Sequence, residues 1–192
     1  MELPTWNYLL NLPMQTIKVK EKRFEIAIPA NRIAQRVEEL QAEIYLNYQD
    51  RTPIFIGILN GSFIFMADLL KGYPGDCEMD FIKASSYEGM ESTGDVKEIM
   101  GLKTDIEGRD IVLVEDIVDT GLTLEKLLEN LKRSKPSSIS IVSLLFKPEK
   151  CQADFKIDFL GFEIPNEFVI GYGLDFDGSV RNLKHIYRLQ ES

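Results

Sequence analysis

Short apolar runs of strand length alternate with stretches of helical periodicity through the middle of the chain, and that order leaves few architectures open. "PIFIGIL" (53–59), "EMDFIKASSY" (78–87), "DIVLVED" (110–116) and "SSISIVSLLF" (137–146) read as strands. "SFIFMADLLKG" (62–72) and "TLEKLLENLKR" (123–133) read as helices, the second with Leu124, Leu127, Leu128 and Leu131 on one side. Ahead of them, residues 30–48 form a further amphipathic helix. There Ile33, Val37, Leu40 and Ile44 recur at helical spacing among Glu38, Glu39 and Glu43. "KIDFLGF" (156–162) and "EFVIGYGL" (167–174) add two more strands, and the polar, glycine-bearing "EGMESTGDVKE" (88–98) a loop or hairpin tip. The alternation implies an α/β fold: a mostly parallel central sheet flanked by helices. At 192 residues the chain fits one domain. Sheets of this kind bind ligands outside the carboxyl ends of their strands.

One such end is conspicuous. In "VLVEDIVDTGLTL" (112–124) an apolar run finishes in Glu115, Asp116 and Asp119, and Thr120, Gly121 and Thr123 follow at once. Glycine permits a tight turn and close approach to a ligand. The helix that follows presents unpaired N–H groups, which favour an anion such as a phosphate. Carboxylates beside a phosphate make sense when they face another part of the same ligand. Vicinal ribose hydroxyls would donate to them, and Mg²⁺ can bridge carboxylates and a pyrophosphate. The stretch therefore reads as a ribose 5-phosphate site. The plainer alternative is an acidic helix start with Asp119 or Thr120 as a cap.

Charge narrows the partners. Twenty-two basic against 31 acidic residues leave a net charge of −9, which argues against broad binding to nucleic acid or an anionic membrane. No apolar run approaches the roughly 18 residues of a membrane span, and "MELPTWNYLLNLPM" lacks the pattern of a signal peptide. Cys77 and Cys151 form no CxxC pair and read as free thiols of a reducing cytoplasm. A single histidine, His185, excludes a multi-histidine metal site and suits a packing or surface role.

The residues of 112–124 resemble the phosphoribosyl diphosphate (PRPP) signature of type I phosphoribosyltransferases. Further segments narrow the resemblance to the hypoxanthine-guanine phosphoribosyltransferases. "LNGSFIFMADL" (59–69) resembles their pyrophosphate loop and "SYEGMESTGDVK" (86–97) their mobile catalytic loop. "LLFKPEK" (144–150) and "DFLGFEIPNEFVIGYGLDFDGSVRNLKHI" (158–186) resemble their purine-recognition segments. The similarity runs in order over about 53–190, and residues 1–50 add little. It implies a Rossmann-like core over about 50–150. A small hood is implied from the N-terminal segment and about 151–192, all within one phosphoribosyltransferase domain over 1–192.

The implied reaction joins a 6-oxopurine to PRPP, giving the nucleotide and pyrophosphate, with Mg²⁺. By resemblance, Glu115 and Asp116 hold the ribose hydroxyls and share Mg²⁺ with Asp175. Asp119 acts at purine N7, as general base or as partner for its proton. The backbone of Thr120, Gly121, Leu122 and Thr123 binds the 5-phosphate, with Ile117 and Val118 in the same stretch. Lys147 donates to O6, Phe168 stacks on the purine and the Val169 carbonyl meets the base edge. Asn60, Gly61 and Arg181 face pyrophosphate, and Ser86 and Tyr87 close over the site. An ammonium is donor-only, so Lys147 favours 6-oxopurines over adenine. Two positions depart from common family members. Asn60 stands where many have a lysine or arginine, leaving backbone contacts rather than a charge, and Leu122 replaces a frequent lysine at a largely backbone contact. The resemblance also implies a homodimer or homotetramer, with the apolar 59–70 segment as a candidate interface. Two other readings remain: a PRPP-sensing regulator, which should carry a basic face, and a transferase for xanthine or a pyrimidine.

Overall fold

The computed structural model describes residues 16–83 and 102–190. Its core is a five-stranded parallel sheet built from β3 (Ile54–Leu59), β4 (Glu78–Lys83), β5 (Asp110–Val118), β6 (Ser138–Phe146) and β7 (Phe159–Glu163), in the order β4-β3-β5-β6-β7. β3 shows no alternation because apolar residues face helices on both sides: Ile54, Phe55 and Ile56 are fully buried.

Helices α1 (Ala30–Tyr48) and α2 (Phe63–Lys71) cover one face, where Ile33, Leu40, Ile44, Phe65 and Leu69 join Phe55, Val112 and Val114. Helix α3 (Leu122–Arg133) covers the other, placing Leu124, Leu127, Leu128 and Leu131 on Ile56, Ile111 and Leu113. Each such fully buried side chain contributes roughly 1.5–3 kcal/mol. Arg36 ties α1 to the sheet edge, donating to the Leu160 carbonyl from Nη2 at 2.7 Å while pairing with Glu39 and Glu43. α1 begins after Pro29 with no side-chain cap from its own neighbours. Instead the Ala30 N–H donates to His185 Nδ1 at 2.8 Å, so the lone histidine fastens the two ends of the chain together.

A second, antiparallel sheet forms the hood, from β1 (Thr16–Val19), β2 (Lys22–Ile28), β8 (Val169–Ile170) and β9 (Ile186–Leu189), in the order β1-β2-β9-β8. Its core is Phe24, Ile170 and Tyr187. The expected strand over 167–174 is corrected here: only Val169 and Ile170 are strand, and they belong to the hood. Gly171, Tyr172 and Gly173 all adopt positive φ, which ends the extended run.

Candidate active site

Chain order around the core sheet reverses between β3 and β5, and the carboxyl ends of two such strands open a crevice at the reversal. A pocket of about 330 Å³ occupies it. Asn60 and Gly61, after β3, line one side, and the stretch from Glu115 to Gly121 with Thr123 lines the other. Asp175 and Arg181 reach in from the hood. The Leu59–Asn60 peptide is cis.

The loop at the end of β5 is held from behind. The Lys147 and Gln152 N–H groups donate to the Val118 and Thr120 carbonyls at 3.0 and 2.9 Å. α3 starts at Gly121, whose φ of 78° is the left-handed conformation that glycine adopts without strain. No side chain caps this helix, so neither Asp119 nor Thr120 is spent as a cap. The first intrahelical bond runs from Glu125 N–H to the Gly121 carbonyl at 2.9 Å, which leaves the preceding N–H groups available to an anion.

Two carboxylates next to this loop carry unfavourable charge. Burial pushes the Glu115 carboxyl well above its usual range, and the adjacent Asp116 adds to it. Glu115 Oε2 is buried with no hydrogen-bond partner among the described residues. Burial also pushes Asp116 up to about 6, against backbone N–H bonds and the attraction of Arg181. Such groups are poised to receive hydroxyl donors or a cation. Arg181 is oriented by the hood: it donates to the Gly173 carbonyl at 2.7 Å and pairs with Asp175 Oδ1 at 2.8 Å. Asp175 Oδ2 accepts from the Gly178 N–H at 2.8 Å.

Asp119 also lines the pocket; its Oδ2 accepts from Lys150 Nζ at 2.7 Å and lies 3.8 Å from Lys147 Nζ. Lys147 is buried, not the surface lysine its sequence context suggests. Burial lowers its pKa, Asp119 opposes the shift and Lys150 adds to it. Phe168 is 45% exposed and is backed by Phe176 and Phe24, with ring centroids 5.6 and 6.3 Å away. The Leu189 N–H donates to the Phe168 carbonyl at 3.0 Å. Strand alternation then turns the Val169 carbonyl away from β9, and because β8 ends the sheet that edge is open.

The pocket thus gathers most of the residues singled out from sequence: Asn60, Gly61, Glu115, Asp116, Ile117, Val118, Asp119, Thr120, Gly121, Thr123, Asp175 and Arg181. Lys147 adjoins it through Asp119. Leu122, Phe168 and Val169 are outside its lining, and Leu122 is 42% exposed on the first turn of α3. Ser86 and Tyr87 lie outside the described residues. Sequence reasoning passed over Lys150, although a second lysine three positions beyond Lys147 across a proline turn was a usable signal. It also passed over Ile58, Leu59 and Leu124, which supply apolar lining.

Comparison with known proteins gives the family. The family model described as "Phosphoribosyl transferase domain" matches residues 28–177. The hypoxanthine-guanine phosphoribosyltransferase of Bacillus subtilis (strain 168) is 48% identical over 163 residues, covering 84% of this chain and 91% of that protein. The hypoxanthine phosphoribosyltransferase of Escherichia coli (strain K12) is 43% identical over 165 residues, covering 84% and 93%. A crystal structure of a hypoxanthine phosphoribosyltransferase from Staphylococcus aureus superposes with a TM-score of 0.79 at 39% identity, covering 86% of this chain and 91% of that one. With the family model spanning most of the chain and the site residues in one crevice, the chain belongs to the phosphoribosyl transferase domain family.

Proposed function

We propose that this enzyme transfers the 5-phosphoribosyl group of PRPP to hypoxanthine or guanine, giving IMP or GMP and pyrophosphate, a reaction of purine salvage. The observation that carries the reading is the set of groups gathered at one crevice: a glycine-led helix start, two buried carboxylates and a carboxylate paired with buried Lys147. The N–H groups of the Thr120–Thr123 backbone bind the 5-phosphate. Glu115 and Asp116 accept from the ribose hydroxyls, which supply the donor that Glu115 Oε2 lacks. Arg181 and the Asn60–Gly61 backbone face the leaving pyrophosphate.

Asp119 meets the N7 proton of the base and Lys147 its O6. Phe168 offers a ring face, and the Val169 carbonyl accepts from N1–H of hypoxanthine or guanine. Adenine at this end would leave the Lys147 ammonium without an acceptor. Ser86 and Tyr87 close over the reacting atoms and exclude water, which suppresses PRPP hydrolysis.

Mg²⁺ fits the donors present. Glu115, Asp116 and Asp175 are hard oxygen ligands, yet among the described residues no group of three acidic, histidine or cysteine side chains forms a ready metal cage. That suits an ion held by one or two carboxylates together with substrate phosphates. When bound, it neutralises charge on the departing pyrophosphate.

The whole chain acts as one phosphoribosyltransferase domain, the hood sheet closing on a core that runs from α1 to β7. It works in the cytoplasm, where Cys77 and Cys151 stay free. It assembles as a homodimer or homotetramer through α2, where Phe63 is 57% exposed. Among the described residues no helix is long and apolar enough to cross a membrane.

A spectrophotometric assay with PRPP, Mg²⁺ and each of hypoxanthine, guanine, xanthine and adenine tests the reading. Nucleotide should form with hypoxanthine or guanine and not with adenine. No turnover with any base, alongside PRPP binding by calorimetry, would mark a sensor instead.

A further inference from the structure

The Asp119 carboxylate is already engaged by the protein's own side chains. Lys150 Nζ donates to Oδ2 at 2.7 Å, and Oδ1 is buried without a partner among the described residues. The oxygen an incoming base can reach is therefore the one Lys150 holds. The two lysines near it differ in kind. Lys147 has a side chain 8% exposed, whereas that of Lys150 is 39% exposed and can move into water. The turn that presents them does not need the Lys150 side chain. It is closed by the Lys150 and Cys151 N–H groups, which donate to the Lys147 carbonyl at 3.1 and 3.2 Å.

We propose that Lys150 is a further positioning residue of the purine end: it holds Asp119 through Oδ2 and yields that oxygen to the imidazole N–H of the arriving 6-oxopurine. The inference rests on the assignment of Asp119 to purine N7 made above. No covalent bond changes in the exchange. One N–H donor replaces another on the same carboxylate oxygen, and the Lys150 ammonium passes to solvent. Lys147 does not leave, because its buried ammonium has O6 of the base as its next acceptor. Base binding then competes with the ion pair, and affinity for the purine is weakened by the worth of that pair. A half-exposed pair can supply roughly a three- to fivefold effect.

The test is steady-state kinetics of the wild type, Lys150→Gln and Lys150→Arg, with hypoxanthine varied at saturating PRPP and PRPP varied at saturating hypoxanthine. Lys150→Gln should lower KM for hypoxanthine about three- to fivefold and leave KM for PRPP unchanged. Lys150→Arg should restore the wild-type KM, which also shows that the turn tolerates substitution. In an Asp119→Asn background the Lys150→Gln change should have no effect on KM for hypoxanthine, because the competing pair is gone. A raised KM for hypoxanthine, a lower kcat at constant KM, or no change in any parameter would overturn the proposal. A wild type that forms no nucleotide from any 6-oxopurine would overturn the functional assignment itself, so the two failures are distinct.

Discussion

Gly61 rests directly on Asp116: a Cβ at position 61 would lie 1.7 Å from Asp116 Oδ2 and 2.3 Å from its Cγ. The hood closes from the other side, since a Cβ at Gly173 would lie 2.1 Å from the Gly61 carbonyl oxygen. Three segments, from β3, β5 and the hood, therefore meet at Gly61 with no room for a side chain at that position. Gly61→Ala has to displace the Asp116 carboxylate or the loop that would face pyrophosphate. A misplacement of about 1 Å in such a site costs on the order of a hundredfold. We expect kcat/KM for PRPP to fall by about that factor, measured with hypoxanthine saturating. A loss of less than about threefold would mean that the loop shifts freely and that the contact does not set the geometry.

Asp116 is also a stability liability. Its carboxyl titrates at about 6 in the fold against an ordinary 3.8, because burial disfavours the charge. Between those values the native state holds a proton that the unfolded chain has lost. Stability therefore falls as pH rises through that window, and the full penalty is present above it. Two units correspond to about 3 kcal/mol. Asp116→Asn removes the charge and should melt several degrees above the wild type at pH 8, at roughly 2–4 °C per kcal/mol. The gap should shrink as the pH approaches 4, while PRPP binding weakens at every pH. Circular dichroism melts at pH 8, 6 and 4.5 give the comparison. A variant that melts lower than the wild type at pH 8 would refute the account.

What the sequence disclosed and what it hid follow from where the information is local. Helix α1 was legible from residue 30 to residue 48 because Ile33, Val37, Leu40 and Ile44 mark one face without help from the rest of the chain. The end of β5 was legible because three carboxylates and a Thr-Gly turn stand out directly after an apolar strand. The hairpin of β1 and β2 was not legible. Its turn is Lys20–Glu21, with neither the asparagine nor the glycine that marks a tight hairpin, and β2 finds its other neighbour, β9, at the far end of the chain. Lys147 resembles a surface lysine until the fold buries it, and its nearness to Asp119 depends on the loops after two adjacent strands. Lys150 was hidden for the same reason, although it makes the closer contact.

His185 should give the opposite pH response to Asp116. Burial, with Lys184 adding to it, lowers the pKa of the ring from its usual 6.5. The neutral ring accepts the Ala30 N–H at the start of α1. Protonation removes that acceptor and puts a positive charge at a helix N-terminus, where it is unfavourable. The stabilisation is thus present above about 6.5 and is lost as pH falls through the lowered value. His185→Asn keeps an acceptor oxygen without the titration. Between pH 7.5 and 5 the wild type should lose melting temperature relative to the variant. The Asp116 contribution is common to both proteins and cancels in the difference. A constant offset between the two melting curves would show that the histidine does not titrate in this range.

Asp119 is the proposed partner of the purine N7 proton, and its substitution separates chemistry from binding. The carboxylate lies beside Lys147 and Lys150, the proposed purine end of the site, while the glycine-led start of α3 is the proposed 5-phosphate end. Asp119→Asn leaves a side chain of nearly the same shape that still accepts a hydrogen bond but is a far weaker base. PRPP contacts should survive and proton transfer at N7 should not. We expect kcat to fall by roughly 10²–10⁴, the range that positioned acid–base groups contribute, with KM for PRPP within about threefold of the wild type. If kcat and PRPP affinity fall together, Asp119 shapes the whole site rather than moving a proton. Asn at 119 also removes the negative partner of both lysines, so its effect on KM for hypoxanthine should be read beside that of Lys150→Gln. A carboxylate that serves as base must first be released by its lysine, and Lys150→Gln acts on that release while leaving the carboxylate in place.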